Sequence, residues 1–162
     1  MRKAYLKILA ASLVLLGSFA VVSCSDDNKD EVEEIITLQK LPANAQTFLH
    51  TYFKDSTIYK IEKETNGNVV VYEVYLEGGY EVIFSSDGTW TEVDAPDGMT
   101  IPDGIVPEVI QEYLNQNYSA YGVNEINRTG QGYKVELNNM QGGDSIDIYF
   151  NESGEVINIS NA

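Results

Sequence analysis

The chain writes one pattern twice, and nothing else in it constrains the fold as strongly. Leu41-Pro42 returns as Ile101-Pro102. Phe48-Leu49 and Tyr52-Phe53 return as Val109-Ile110 and Tyr113-Leu114. Tyr72-Glu73-Val74-Tyr75-Leu76 returns as Tyr133-Lys134-Val135-Glu136-Leu137, and Phe84-Ser85-Ser86-Asp87-Gly88-Thr89-Trp90 returns as Phe150-Asn151-Glu152-Ser153-Gly154-Glu155-Val156. Order is kept throughout, and the offset grows only from about 60 to about 66 residues, so the second round carries small loop insertions.

Each round opens on a helical pattern. Ala45, Phe48, Leu49, Tyr52 and Phe53 recur at the spacing of one helix face, as do Val106, Val109, Ile110, Tyr113 and Leu114. Pro42 and Pro107 suit a first helical turn, where a missing N–H costs nothing. Strand patterns follow. Val69–Leu76 alternates, with Tyr72, Val74 and Leu76 facing one way and Val71, Glu73 and Tyr75 the other. Tyr133, Val135 and Leu137 repeat the apolar face. Further strands are predicted near Ile58–Glu64, Tyr80–Ser85 and Thr89–Val93, then near Val123–Thr129, Ser145–Phe150 and Glu155–Ser160, with Gly88 and Gly154 in the hairpin loops. The expected class is α+β: two tandem helix-plus-four-stranded antiparallel units in one continuous or side-by-side sheet, helices on one face. Residues 41–94 form the first unit, 95–100 a linker and 101–162 the second; Asp94–Gly104 holds two Pro-Asp-Gly turns.

Residues 1–40 read differently. Met1–Lys7 holds three cations, and Ile8–Val22 is an uncharged stretch of 15 residues, short for a membrane span and suited to a signal-peptide core. It ends in Val21-Val22-Ser23-Cys24, which resembles the lipobox of bacterial lipoproteins. That resemblance implies a leader over 1–23 and acylation of Cys24. Ser25–Glu34 has six acids in ten residues, so 24–40 is expected to be a solvated tether, with Val32, Ile35 and Ile36 in one amphipathic helical turn. Acids after the Cys also resemble the surface-export signal of Bacteroidetes lipoproteins. The expected location is the outer membrane, held by the lipid anchor alone, with surface display favoured over the periplasm.

With these elements in place, the chain resembles the PepSY-like family, also called β-lactamase-inhibitor-like, of secreted and lipid-anchored Bacteroidetes proteins. The matching residues are Leu41-Pro42, Tyr72-x-Val74-x-Leu76, Gly79, Phe84-x-x-x-Gly88-x-Trp90, and a second round from Ile101-Pro102 to Ile159. The family is similar to a secreted inhibitor that grips an enzyme with the open face of its sheet. The resemblance therefore implies a non-catalytic protein-binding module whose partner is a secreted or envelope enzyme. No inhibitory residue is carried over, because no motif here matches one.

Composition narrows the chemistry. With 25 acids against 10 Lys and Arg, the net charge is −15, which excludes nucleic acid as a partner and charge-driven docking on anionic lipid. One Cys and one His leave no disulfide framework and no multi-His metal site. His50 has no nucleophile or orienting acid at a useful spacing and reads as a surface residue. Asp87-Gly88, Asp97-Gly98 and Asp103-Gly104 resemble fragments of calcium loops without completing one, and turn chemistry explains them. Gly78-Gly79 and Gly142-Gly143 form no phosphate loop. No cofactor and no catalytic residue is implied. Asp55-Ser56-Thr57 and Asp144-Ser145-Ile146 resemble a short Bacteroidetes O-glycosylation acceptor.

One face stands out. If the apolar alternation faces the helices, the other side of the sheet carries Val71, Glu73, Tyr75, Glu81, Ile83, Trp90, Glu92, Lys134, Asp147 and Tyr149. A sheet covered on one side ordinarily shows a polar far face. Here Tyr75, Trp90 and Tyr149 are expected side by side within an acidic rim, the residue types of an interface hot spot. The leading expectation is a protein partner with a basic patch. The alternative is a small-ligand or glycan-binding accessory protein that uses the same aromatics as stacking platforms.

Overall fold

The computed structural model describes residues 31–161. Cys24 and the expected leader over 1–23 lie outside the described residues. Nine strands form one antiparallel sheet in strict sequence order: β1 (Glu31–Ile35), β2 (Ile58–Asn66), β3 (Val69–Leu76), β4 (Glu81–Ser85), β5 (Trp90–Asp94), β6 (Tyr121–Thr129), β7 (Gly132–Asn139), β8 (Ile146–Asn151) and β9 (Val156–Asn161). Helix α1 (Ala43–Tyr52) precedes β2, and α2 (Glu108–Asn117) lies between β5 and β6. The order of a helix and four strands thus occurs twice, but the strands form one nine-stranded sheet rather than two four-stranded units. The halves join where β5 pairs with β6 through Glu92↔Asn127, Val93↔Ile126 and Asp94↔Glu125. A 3-10 turn, Leu38–Lys40, adds to the expected helices, and Glu77–Gly79 turns the chain into β4 with Gly78 at φ +83°.

The acidic segment corrects one expectation. Glu31–Ile35 is neither tether nor helical turn; it is an edge strand, paired over its whole length with β2. Pairing with β2 satisfies the backbone groups on its inner side, and Lys63 of β2 stands opposite Glu34, so the acid block meets a cation. Ile36 follows into the core, 8% exposed.

Both helices start directly after a proline, whose carbonyl accepts the first intrahelical bond: Gln46 N–H to Pro42 O at 3.1 Å, and Gln111 N–H to Pro107 O at 2.9 Å. Their apolar stripes lie on the same side of the sheet. Phe48 meets Phe84 edge-on with ring centroids 5.6 Å apart, and Tyr113 meets Phe150 in the same way at 5.7 Å. The hairpin glycines fit this packing. Gly88 and Gly154 have φ of +81° and +82°, and a Cβ on either would strike the adjoining helix: Pro42 Cβ at 2.7 Å and Val109 Cγ1 at 2.5 Å. One core runs through both halves, with Ala45, Val74, Val82, Phe84, Val93, Ile110, Ile126, Val135 and Ile148 fully buried. At roughly 1.5–3 kcal/mol for each large apolar side chain, this burial is the main force holding the sheet to its helices.

The connection after β5 is strapped down. Asn124, 6% exposed, sits at a β-bulge, and its Nδ2 donates to the carbonyls of Ala95 (2.8 Å), Pro96 (3.3 Å) and Met99 (3.1 Å). Ala95 N–H returns a bond to Asn124 O at 2.9 Å. Buried carbonyls without donors are costly, so this one side chain stabilises the whole turn.

Candidate functional site

The opposite side of the sheet is different. Both helices pack against the Phe84 and Phe150 side, and among the described residues neither covers the other one. Register fixes what the open face presents. One rank runs Lys60, Tyr75, Glu81, Asp94, Glu125, Glu136 and Asp147, each directly opposite the next on adjacent strands β2 to β8. The neighbouring rank runs Glu62, Glu73, Ile83, Glu92, Asn127, Lys134, Tyr149 and Asn158. Five carboxylates therefore stand cross-strand in unbroken succession from β4 to β8. Like charges directly opposite one another destabilise a sheet.

Lys134 is the cation amid the β5–β8 part of this band. Its Nζ lies 3.1 Å from Asp147 Oδ1 and 3.8 Å from both Glu125 Oε1 and Glu136 Oε2. Asp147 Oδ1 is buried and is held by this ion pair rather than by an aligned hydrogen bond. Burial opposes the charge on Lys134, but Glu125, Asp147 and Glu136 outweigh it and raise its pKa. The acids carry the strain. Burial first, then Glu125 and Asp94, push Glu92 up to about 7. Burial, then Glu125 and Glu136, push Asp94 up to about 6. Glu136 is raised as well, by burial and by Glu125. Asn127 Nδ2 donates to Glu125 Oε1, a local relief within β6. At the β2–β3 end, Lys60 Nζ lies 4.2 Å above the Tyr75 ring and pairs with Glu62 at 2.9 Å. The Tyr75 hydroxyl is held neutral by burial, by hydrogen bonding to Glu73 and by the acids around it. Glu73 itself is 5% exposed.

Of the residues singled out in the sequence, Tyr75, Glu73, Glu81, Ile83, Glu92, Lys134, Asp147 and Tyr149 lie on this face. Trp90 does not. A bulge at Thr91 breaks the alternation of β5, so Trp90 pairs with Phe84 and turns to the helix side. Its ring lies 6.2 Å from Phe48 and 6.4 Å from Tyr133, with the Arg128 guanidinium 4.2 Å above it. Trp90 is part of the scaffold. The aromatics also fail to gather: Tyr75 on β3 and Tyr149 on β8 are five strands apart, about 24 Å at ordinary strand spacing. Carboxylates fill the interval. Asp94, Glu125 and Glu136 complete that band without having been singled out. Glu136 was legible from the alternation of β7; Glu125 is hidden by the bulge at Asn124, which reverses the apparent parity of β6.

Two further residues singled out in the sequence make local bonds. Asp87 accepts Ser85 Oγ at 2.7 Å and Thr89 N–H at 2.9 Å, bonds that close the hairpin and lower its pKa. Among the described residues no three acidic, His or Cys groups converge in metal-binding geometry. Ser145 donates to Asn138 Oδ1 at 2.6 Å. Two hollows, of about 170 Å³ beneath α2 and about 370 Å³ at the β1–β2 corner, lie away from the acidic band.

Among the described residues, then, this is an α+β protein with one antiparallel sheet, both helices on one side and a cross-strand acidic band on the other. A family model described as "Putative beta-lactamase-inhibitor-like, PepSY-like" matches residues 27–77 and 70–158, and the chain belongs to this family. Three solved structures are similar over nearly their full length. A "putative periplasmic protein" of the DUF2874 family from Bacteroides vulgatus ATCC 8482 is 30% identical, with TM-score 0.72, covering 85% of this chain and 100% of that one. A "putative calcium-regulated periplasmic protein" from Bacteroides thetaiotaomicron is 30% identical, with TM-score 0.71, covering 80% and 97%. A third, a "putative periplasmic protein of unknown function" from Bacteroides vulgatus, is 25% identical, with TM-score 0.70, covering 80% and 99%. No curated protein matches the chain.

Proposed function

We propose that this protein is a non-catalytic envelope lipoprotein that binds a protein partner through the open sheet face, and that the partner presents Lys and Arg to it. The unbroken cross-strand succession Glu81, Asp94, Glu125, Glu136 and Asp147 carries the reading. Such a rank opposes folding, and a basic partner surface would relieve it while gaining in encounter rate. Tyr75 and Tyr149 flank the band as amphipathic contacts. The family description and the periplasmic descriptions of the relatives support an inhibitor-like role in the envelope. The Cys24 lipobox supports a lipid anchor in the outer membrane, and the acids that follow it support surface display. A secreted or envelope enzyme is the partner class the family description favours.

The test is affinity capture from native envelope and secreted fractions. The bait is the chain from Ser25, which keeps β1, against the same chain carrying Asp94→Asn and Glu136→Gln. A protein retained by the first bait and lost from the second, with retention falling as salt rises, supports the protein-binding reading. Equal capture by both baits defeats it.

A further inference from the structure

The two ends of the sheet are not alike. β1 closes one end, and its exposed segment carries Glu33 and Glu34. At the other end β9 reads Val-Ile-Asn-Ile-Ser-Asn: six residues, all exposed, with no charge and no proline. Edge strands in soluble proteins are ordinarily guarded by Lys, Glu, Pro, a bulge or very short length, and of these β9 has only a bulge, at Ile157. In a chain of net charge −15, a neutral edge calls for an occupant, and the same bulge in β5 does not prevent pairing with β6.

The first half of the molecule shows what such an edge accepts. Both second hairpins carry a bulge at the same place, with Phe84↔Trp90 in one and Phe150↔Val156 in the other. Glu92, Val93 and Asp94 of β5 thus correspond to Asn158, Ile159 and Ser160 of β9. In β5 these three residues receive an antiparallel strand, β6, and Val93 is fully buried. In β9 the same edge receives no strand among the described residues, and Ile159 is 46% exposed. The edge geometry is therefore that of a strand acceptor, and the two acids of β5 are replaced by neutral side chains.

We propose that β9 pairs with β9 of a second copy, antiparallel, closing a two-fold dimer with one sheet running through both molecules. Head-to-tail continuation would set β9 on β2 of the next copy, as β5 sits on β6. That edge is already occupied by β1. An isologous β9 contact brings together the one uncharged edge of two acidic molecules and keeps both open faces free. The contact is small, so the dimer is weak, and its partner is this chain itself.

Sedimentation equilibrium of the chain from Ser25 tests this, run from about 10 µM to about 1 mM, the range suited to an interface at the small end of the size scale. The expected result is a monomer–dimer equilibrium that stops at two copies. Ile159→Lys, and separately Asn158→Lys, should weaken dimerisation at least tenfold. Wild-type β9 amides should gain hydrogen-exchange protection with concentration while those of β1 do not. A monomer throughout, growth past two copies, or a dimer undiminished in variants that melt as wild type would overturn the proposal. Should Ile159→Lys fail to fold, Asn158→Lys and the wild-type exchange pattern decide.

Discussion

Removing one charge from the open face should make the protein more stable, and Glu92 is the position where this is most visible. Its carboxyl is raised from an ordinary value near 4.5 to about 7, by burial and by Glu125 and Asp94. At about 1.4 kcal/mol per pH unit, the full difference would be about 3 kcal/mol. Water still reaches the partly exposed carboxylate, so about 1–2 kcal/mol is the working figure. The sign follows from proton binding. A carboxyl raised in the folded state holds its proton more tightly there than in the unfolded chain. The Glu92 contribution is therefore fully present below about pH 4.5 and is lost as pH rises through about 7. Asp94, raised from 3.8 to about 6, adds to the loss over the lower part of that window. Glu92→Gln abolishes the Glu92 contribution. Urea unfolding of wild type and variant at pH 5 and pH 7.5 measures it. The variant should gain about 1–2 kcal/mol at pH 7.5, a smaller amount at pH 5, and show a flatter pH dependence. A variant less stable than wild type at pH 7.5, or wild-type stability that rises between the two pH values, would refute the claim that the acid rank strains the fold.

The other expectations concern the scaffold. Trp90→Ala should cost about 2 kcal/mol in urea unfolding, because the ring packs between Phe48 and Tyr133 beneath Arg128. Asn124→Ala should cost about 2–3 kcal/mol by stripping the donors from the carbonyls of Ala95, Pro96 and Met99, with faster exchange of the Ala95 amide as a second readout. Leu49→Ala and Ile110→Ala, one in each half of the single core, should each lower one cooperative transition by roughly 2–5 kcal/mol, and two separable transitions would show independent halves.

Period-two and helical alternation were enough to locate both helices, eight of the nine strands and most of the open face. What they missed has identifiable causes. β1 reads as tether in the sequence because six acids in ten residues outweigh two apolar side chains in any composition argument, whereas pairing with β2 is a tertiary effect. Trp90 and Glu125 were misjudged or passed over because single-residue bulges at Thr91 and Asn124 reverse the parity on which side-chain direction depends. Tyr75 and Tyr149 were expected as neighbours because the arrangement of the two hairpin pairs was open; a meander places all of β4 to β7 between them. The carboxylate rank is a product of register across five strands, and no local window of sequence contains it.

The central claim is that the same carboxylates that weaken the fold confer recognition. The measurement that meets it most directly is the association rate constant of the captured partner for wild type and for the chain carrying Glu92→Gln, Asp94→Asn and Glu136→Gln, followed by stopped flow across a salt series. The variant should be the more stable protein, associate at least tenfold more slowly at low salt, and lose most of the salt dependence seen in wild type. Equal association rates with the same salt dependence, in a variant that folds, would contradict it.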